Sequence, residues 1–259
     1  MDGSVARDGP DAVACEEPLE IQLEADSLAV VMRTPGHDLE LAMGFLLTER
    51  VIERADQVVS LHAHSRARDG DGDDNVVRAV LGADVKIDAD SLRRNLFASS
   101  SCGVCGKATI ENALRCAPAL DDPARFRADF FTRLPDALRE AQAGFDHTGG
   151  LHAAALFSPE GERLVVREDV GRHNAVDKVV GFALREGHGS LAGHALMVSG
   201  RISYEIVQKA LAARIPVVAA VSAPTSLAVG LAEASGITLV AFLRGRRFSV
   251  YGLRERVVG

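Results

Sequence analysis

From Pro18 to Thr34 apolar and polar residues alternate on both sides of Glu24-Ala25-Asp26, and a period of two broken by a short polar turn predicts a β-hairpin. The period then lengthens. In DLELAMGFLLTERVI the residues Leu39, Met43, Leu46 and Leu47 recur at helical spacing, with His37 or Asp38 as the start after Pro35-Gly36. Gln57 to His64 and Val76 to Leu81 read as two further strands, separated by the charged, turn-forming SRARDGDGDD. Asp90 to Phe97 suits a helical turn, SSSCGVCGK is a loop by composition, and a helix resumes near Lys107 until Pro118 stops it. A further helix is expected around Pro135 to Phe145, ending in DHTGG.

Beyond that point the pattern changes. LHAAALF, LVVRE, ALMVS, PVVAAVSA and ITLVAFL are short runs, most of them apolar throughout, separated by helical patterns in AVDKVVGFALREG, YEIVQKALAARI and TSLAVGLAEASG. Continuously apolar strands alternating with helices indicate an α/β unit whose sheet is covered on both faces. RRFSVYG should pair at an edge. The expected organisation is a leader over 1–17, an α+β domain over 18–147 and an α/β domain over 148–259.

Composition narrows the function classes. With 47% hydrophobic and 25% charged residues in 259, the chain matches a globular protein. Its apolar runs fall short of the roughly 20 residues of a membrane-spanning helix. The acidic N-terminus has no signal-peptide core, so a cytoplasmic chain is expected. A net charge of -7 argues against a nucleic-acid backbone or an anionic membrane as partner. Aromatic residues make up only 5%, with no Trp, which disfavours base-stacking platforms.

Four segments carry candidate chemistry. In Ser99 to Lys107, Cys102 and Cys105 stand three apart in a Gly/Ser loop leading into a helix. The helix dipole and Lys107 would stabilise a thiolate, the form that attacks sulfur and binds metal. A structural zinc site lacks a second ligand pair to close its shell. In Arg167 to Lys178, a strand end and a glycine turn precede a helix bearing His173 and Asp177, four apart on one face; exposed pairs behind an N-cap would give the same pattern. Ser199, Gly200, Arg201 and Ser203 join a buried strand to a helix, where free N–H groups and a guanidinium suit an anion. Arg244, Arg246 and Arg247 cluster after ITLVAFL, and a ring held by Phe242 with arginines on phosphates would suit a nucleotide. His152 stands alone at the start of an apolar strand.

RTPGHDLELAMGFLLTE, SSCGVCGK, TGGLHAAAL, REDVGRHNAVDK, VSGRISYEIVQKA and FLRGRRFSVY, in that order from Arg33 to Tyr251, together resemble the FdhD/NarQ family, the formate dehydrogenase accessory sulfurtransferases. The resemblance implies a carrier that takes sulfane sulfur from a cysteine desulfurase onto a cysteine of the CxxC. It then delivers that sulfur to the molybdenum bis(molybdopterin guanine dinucleotide) cofactor of the formate dehydrogenase catalytic subunit. Cys102 is the implied persulfide site and Cys105 the assisting thiol. The family's cofactor-binding segment falls on Phe242, Leu243, Arg244, Gly245, Arg246 and Arg247, with GDP-like nucleotides as analogues. A homodimer and a C-terminal three-layer α/β domain similar to the cytidine deaminase fold are also implied. Zinc deaminases pair H-x-E with P-C-x-x-C; here Ala154 follows His152 where the Glu would be, and no Pro precedes Cys102. A cofactor-insertion chaperone without sulfur chemistry is the other alternative, and it has no need of two adjacent thiols.

Overall fold

The computed structural model describes residues 9–64, 75–85 and 117–259; Cys102, Cys105, the charged segment SRARDGDGDD and the elements expected between Asp90 and Cys116 lie outside them. The expected hairpin is present. Strands β1 (Glu17–Leu23) and β2 (Asp26–Arg33) pair antiparallel, with a bulge at Ile21/Gln22. Strand β4 (Val76–Leu81) joins β1 in parallel and β3 (Val58–His64) pairs antiparallel with β4, giving the order β2-β1-β4-β3. One face of this sheet presents Leu19, Ile21 and Val77 to Leu41, Ala42 and Phe45 of helix α1 (Asp38–Thr48). The helical spacing read through Ile52 stops earlier. Arg50 takes φ 62, and the Val51 and Ile52 N–H groups both turn back to the Leu46 carbonyl, which satisfies the helix end and redirects the chain.

The second sheet has six strands in the order β11-β10-β9-β8-β6-β7. Strands β8 (Ala195–Val198), β9 (Val217–Ala220) and β10 (Thr238–Arg244) run parallel, while β6 (His152–Phe157), β7 (Arg163–Asp169) and the edge strand β11 (Arg247–Gly252) pair antiparallel. Alternate residues face opposite ways. Ala195 and Met197 meet Phe131, Leu134 and Leu138 of helix α2 (Ala128–Arg139), whereas Leu196 and Val198 meet helices on the other side. Those are α4 (Arg172–Arg185), α5 (Tyr204–Ala212) and α6 (Ser226–Ser235). Burial on both faces is why the strands read as continuous apolar runs.

The helix expected around Pro135 to Phe145 is instead two. Helix α2 starts earlier, at Ala128, and holds Pro135 in its interior; a separate α3 (Ala143–Thr148) follows. Phe130, Phe131, Leu134 and Leu138 form the buried stripe that holds α2 to the sheet despite the N–H that Pro135 lacks. The packing therefore runs across Thr148, since α2 precedes it and covers a sheet that follows it. Helix α1 does the same on the opposite side, crossing α4 at Gly44 and Gly181. A Cβ on Gly181 would lie 1.8 Å from the Glu40 carbonyl oxygen, and one on Gly44 would lie 1.8 Å from that of Asp177. Near the C-terminus, β12 (Val257–Val258) pairs with β5 (Phe126–Arg127), and buried Arg256 donates to the Gly236 and Asp122 carbonyls.

Candidate functional site

Because β6 runs against β8, its first residue lies at the same end of the sheet as the last residues of β8, β9 and β10. Ligands in open α/β sheets bind at that end. His152, the Ser199 to Ser203 turn and the first turn of α4 meet there: a Cβ on Gly200 would stand 3.4 Å from His152 Nδ1 and 3.7 Å from Arg172 Cδ. Backbone bonds fix the turn, with Ser199 N–H donating to Ala153 and Ile202 N–H to Ala223. Ser199 Oγ accepts the Ala153 N–H at 2.9 Å. His173 Nε2 lies 3.4 Å from Ser203 Oγ and 3.9 Å from Glu205.

Electrostatics keep both rings neutral at pH 7. Burial, then the Arg172 charge, lower His152 against the pull of Asp169. Burial, then Arg172 and Lys209, push His173 down to about 4, outweighing Glu205 and Glu49. Burial raises Glu205, but bonds from its own backbone N–H and from Ser203, with His173 and Arg172 nearby, hold it below the ordinary carboxylate value. Each imidazole therefore offers one N–H and one lone pair.

Asp177 does not share this crevice. Although four residues from His173, it is 1% exposed and its carboxylate points toward α1 and α5, accepting Thr48 Oγ1 at 2.7 Å and Lys209 Nζ at 2.9 Å. Lys209 also donates to Glu49 at 2.8 Å. Burial pushes Asp177 up to about 6, still ionised at neutral pH, and the two carboxylates hold Lys209 above its ordinary value against the effect of burial. Lys178 is likewise interior, 2.7 Å from the fully buried Asp169. The helix thus carries no exposed i,i+4 pairs, and Asp177 is corrected from ligand contact to interior ion pair. Asp169 also accepts the N–H groups of Thr34 and Gly171, and Lys178 donates to the Thr34 carbonyl at 2.8 Å. The segment around Thr34 is in this way tied to the start of α4.

The arginine cluster lies at the same end of the sheet, in the turn from β10 to β11, with Arg244, Gly245, Arg246 and Arg247 exposed. Phe242 sits at a bulge with φ 55 and is 40% exposed, its N–H held by the Ser222 carbonyl. Leu243 turns inward and packs in the core on the α2 side, so it is not placed for ligand contact. Arg201 is exposed. A cavity of about 550 Å³ opens between α2, α3 and the strand ends, with Gly149, Gly150, His152, Ser199 and Val221 on its walls; the arginine turn does not line it. Sequence reasoning gave no role to Arg172, Glu205 or Gln142, whose places depend on contacts between distant segments. Among the described residues no helix is long and apolar enough to cross a membrane.

The FdhD/NarQ family profile matches residues 14–258. A protein of Streptomyces avermitilis named sulfur carrier protein FdhD is 50% identical over 99% of this chain and 92% of its own length. Its namesake in Mycobacterium tuberculosis is 49% identical over 96% and 92%. Among solved structures, a candidate formate dehydrogenase accessory protein from Desulfotalea psychrophila superposes with a TM-score of 0.74 at 25% identity, covering 96% of this chain and 91% of that one.

Proposed function

The chain belongs to the FdhD/NarQ family, and from that premise we propose that it is a sulfur carrier serving formate dehydrogenase. The Cys102 thiolate attacks the outer sulfur of a persulfide on a cysteine desulfurase and displaces that enzyme's cysteine thiolate. One S–S bond breaks, one forms, and no net oxidation occurs. Attack of the Cys105 thiolate on Cys102 Sγ would then break the persulfide S–S bond, form a Cys102–Cys105 disulfide and release the outer sulfur as hydrosulfide to the molybdenum bis(molybdopterin guanine dinucleotide) cofactor destined for the formate dehydrogenase catalytic subunit, and a cellular thiol reductant would reopen the disulfide. The exposed Phe242, Arg244, Arg246 and Arg247 and the Ser199 to Ser203 turn hold that cargo, in a cytoplasmic homodimer whose C-terminal layers are of the cytidine deaminase kind.

The observation that supports this reading best is convergence. Segments distant in sequence, around Thr34, His152, Asp169 to His173 and Ser199 to Ser203, are held together beyond the carboxyl ends of the parallel strands of one sheet. Stability alone does not call for two histidines kept neutral beside a half-buried arginine. The deciding experiment is mass spectrometry after incubation with a desulfurase and cysteine. The Cys102 peptide should gain one sulfur atom, and a chain that gains none while the desulfurase turns over overturns the proposal.

A further inference from the structure

Residues 9–16 lead into β1 without forming a helix or a strand. Their base is fixed. Glu17, the first residue of β1, pairs at 3.2 Å with Arg33, which is 2% exposed and is also held by Asp38 and Asn75. Beyond that anchor the segment is held lightly. Among the described residues no backbone–backbone bond joins 9–14 to either sheet, and the Ala12 N–H turns to the neighbouring Asp11 carboxylate at 2.9 Å. A segment with so few bonds moves at little cost in free energy.

This segment runs to the rim of the strand-end cavity. A Cβ on Gly150 would stand 3.2 Å from that of Ala14, inside ordinary van der Waals contact, so the bare backbone at Gly150 is what lets the segment lie against it. Gly150 lines the cavity, whose apolar walls include Leu138, Leu151 and Val221. The residue before Ala14 stands out. Val13 is 84% exposed, the most exposed large apolar side chain among the described residues. A single exposed valine is ordinary on a protein surface, but this one adjoins the residue that touches the rim of an apolar-walled opening. Consecutive Cα atoms are only about 3.8 Å apart, so a modest swing about the Glu17 anchor brings Val13 over that opening.

We propose that residues 9–16 are a strap that closes over the filled strand-end cavity, with Val13 as its apolar plug. The inference rests on the carrier reading, because cargo is what fills the cavity. In the empty protein the strap rests on Gly150 beside the opening, and entry is free. Closure is driven by removing Val13 and the cavity mouth from water and opposed by the ordering of a loosely held segment. The balance is small, and a carrier has to let its cargo go again. Charge sets where the strap shuts. Asp11 and Glu16 flank the plug and would repel phosphate, so the strap lies over the apolar walls and leaves anionic groups to the exposed arginines.

The test is stopped-flow measurement of GDP association and dissociation on the full chain, beside amide hydrogen exchange. GDP should slow exchange across 9–16. Val13→Ser should leave association unchanged and speed dissociation about 3–10-fold, while the unfolding midpoint stays that of the natural chain, since a side chain 84% exposed holds little of the fold. Val13→Leu should keep dissociation slow. A merely structural residue would move the midpoint instead. Four results would overturn the proposal: no GDP binding at millimolar concentration, exchange across 9–16 that GDP does not alter, the natural dissociation rate in Val13→Ser, or tighter binding in that variant, which would mean that the segment blocks the cavity. Sulfur loading separates the two ideas. A chain that gains sulfur on Cys102 but fails these tests loses the strap alone, and one whose strap closes on GDP yet gains no sulfur loses the carrier reading alone.

Discussion

Replacing Gly181 by alanine tests how the two halves of the chain are joined. The new methyl carbon would stand 1.8 Å from the Glu40 carbonyl oxygen, 2.6 Å from its carbon and 2.8 Å from the Gly44 nitrogen, all backbone atoms of α1. No rotamer change relieves that contact, so α1 must retreat from α4 by about 1.5 Å to restore ordinary van der Waals separation. The retreat stretches the bonds that tie α1 and the residue after it to α4, β7 and α5: Thr48 to Asp177 at 2.7 Å, Arg167 to Glu40 at 2.6 and 2.8 Å and Lys209 to Glu49 at 2.8 Å. Overpacking costs about 1–3 kcal/mol, and weakening a buried ion pair adds part of the roughly 3–5 kcal/mol that its rupture would cost. Alanine's better helix propensity returns about 1 kcal/mol. The net expectation is a loss of about 3 kcal/mol, or a midpoint about 6–12 °C lower for a chain of this size. Thermal and urea unfolding read it directly. Gly189→Ala, where a Cβ meets nothing within 4 Å, is the control and should change stability by no more than about 0.5 kcal/mol. If Gly181→Ala proves as stable as the natural chain, or more so, the helices do not cross as closely as described and the ion-pair account fails with that contact.

Cys102→Ala should abolish sulfur loading and leave the unfolding free energy within about 0.5 kcal/mol of the natural chain's; Cys105→Ala should be milder, and equal, total loss in both would favour a shared metal or disulfide. GDP should bind with an affinity that falls as salt rises, because phosphate contacts at exposed arginines are screened, and Arg246→Ala should weaken it about 3–10-fold; unchanged affinity in that variant counts against the arginine turn. His173, held down to about 4 in the folded chain from an ordinary 6.5, contributes stability that is present above pH 6.5 and is lost as pH falls toward 4. With a ring about a third exposed, that loss is about 1–2 kcal/mol, so the acid limb of a stability profile should be shallower in His173→Asn, and an identical limb refutes the assignment.

The sequence was most legible where burial is symmetric. Ala195 to Val198 and Val217 to Ala220 face core on both sides, so their apolar runs marked them as strands without help from distant residues. Helix α2 was misplaced because Pro135 looks like a helix start, and the stripe formed by Phe130, Phe131, Leu134 and Leu138 acquires its meaning only against the sheet. The ion pairs were hidden for a different reason. Asp177 and Lys178 look like surface residues on a helix, and what buries them is α1 and the segment before it, more than a hundred residues earlier in the chain. Within the site, the glycine turns and the arginine cluster carried local signals. Arg172 and Glu205 carried none, because what places them beside His173 is contact between segments far apart in the chain.

Helix α1 has nine buried residues among its eleven, and this bears on how the chain leaves the ribosome. Leu41, Ala42 and Phe45 can be sheltered by the first hairpin, but Met43, Leu46 and Leu47 belong to the cluster completed by α4. About 140 residues separate the last residue of α1 from the last of α4, an interval of about 7–30 s at about 5–20 residues per second of synthesis. Throughout that interval the nascent polypeptide displays a sticky helical flank whose partner has not yet been translated. Production of this protein is therefore bound to whatever shields that flank in the meantime, and conditions that stretch the interval should divert the chain toward aggregates before any sulfur chemistry can begin.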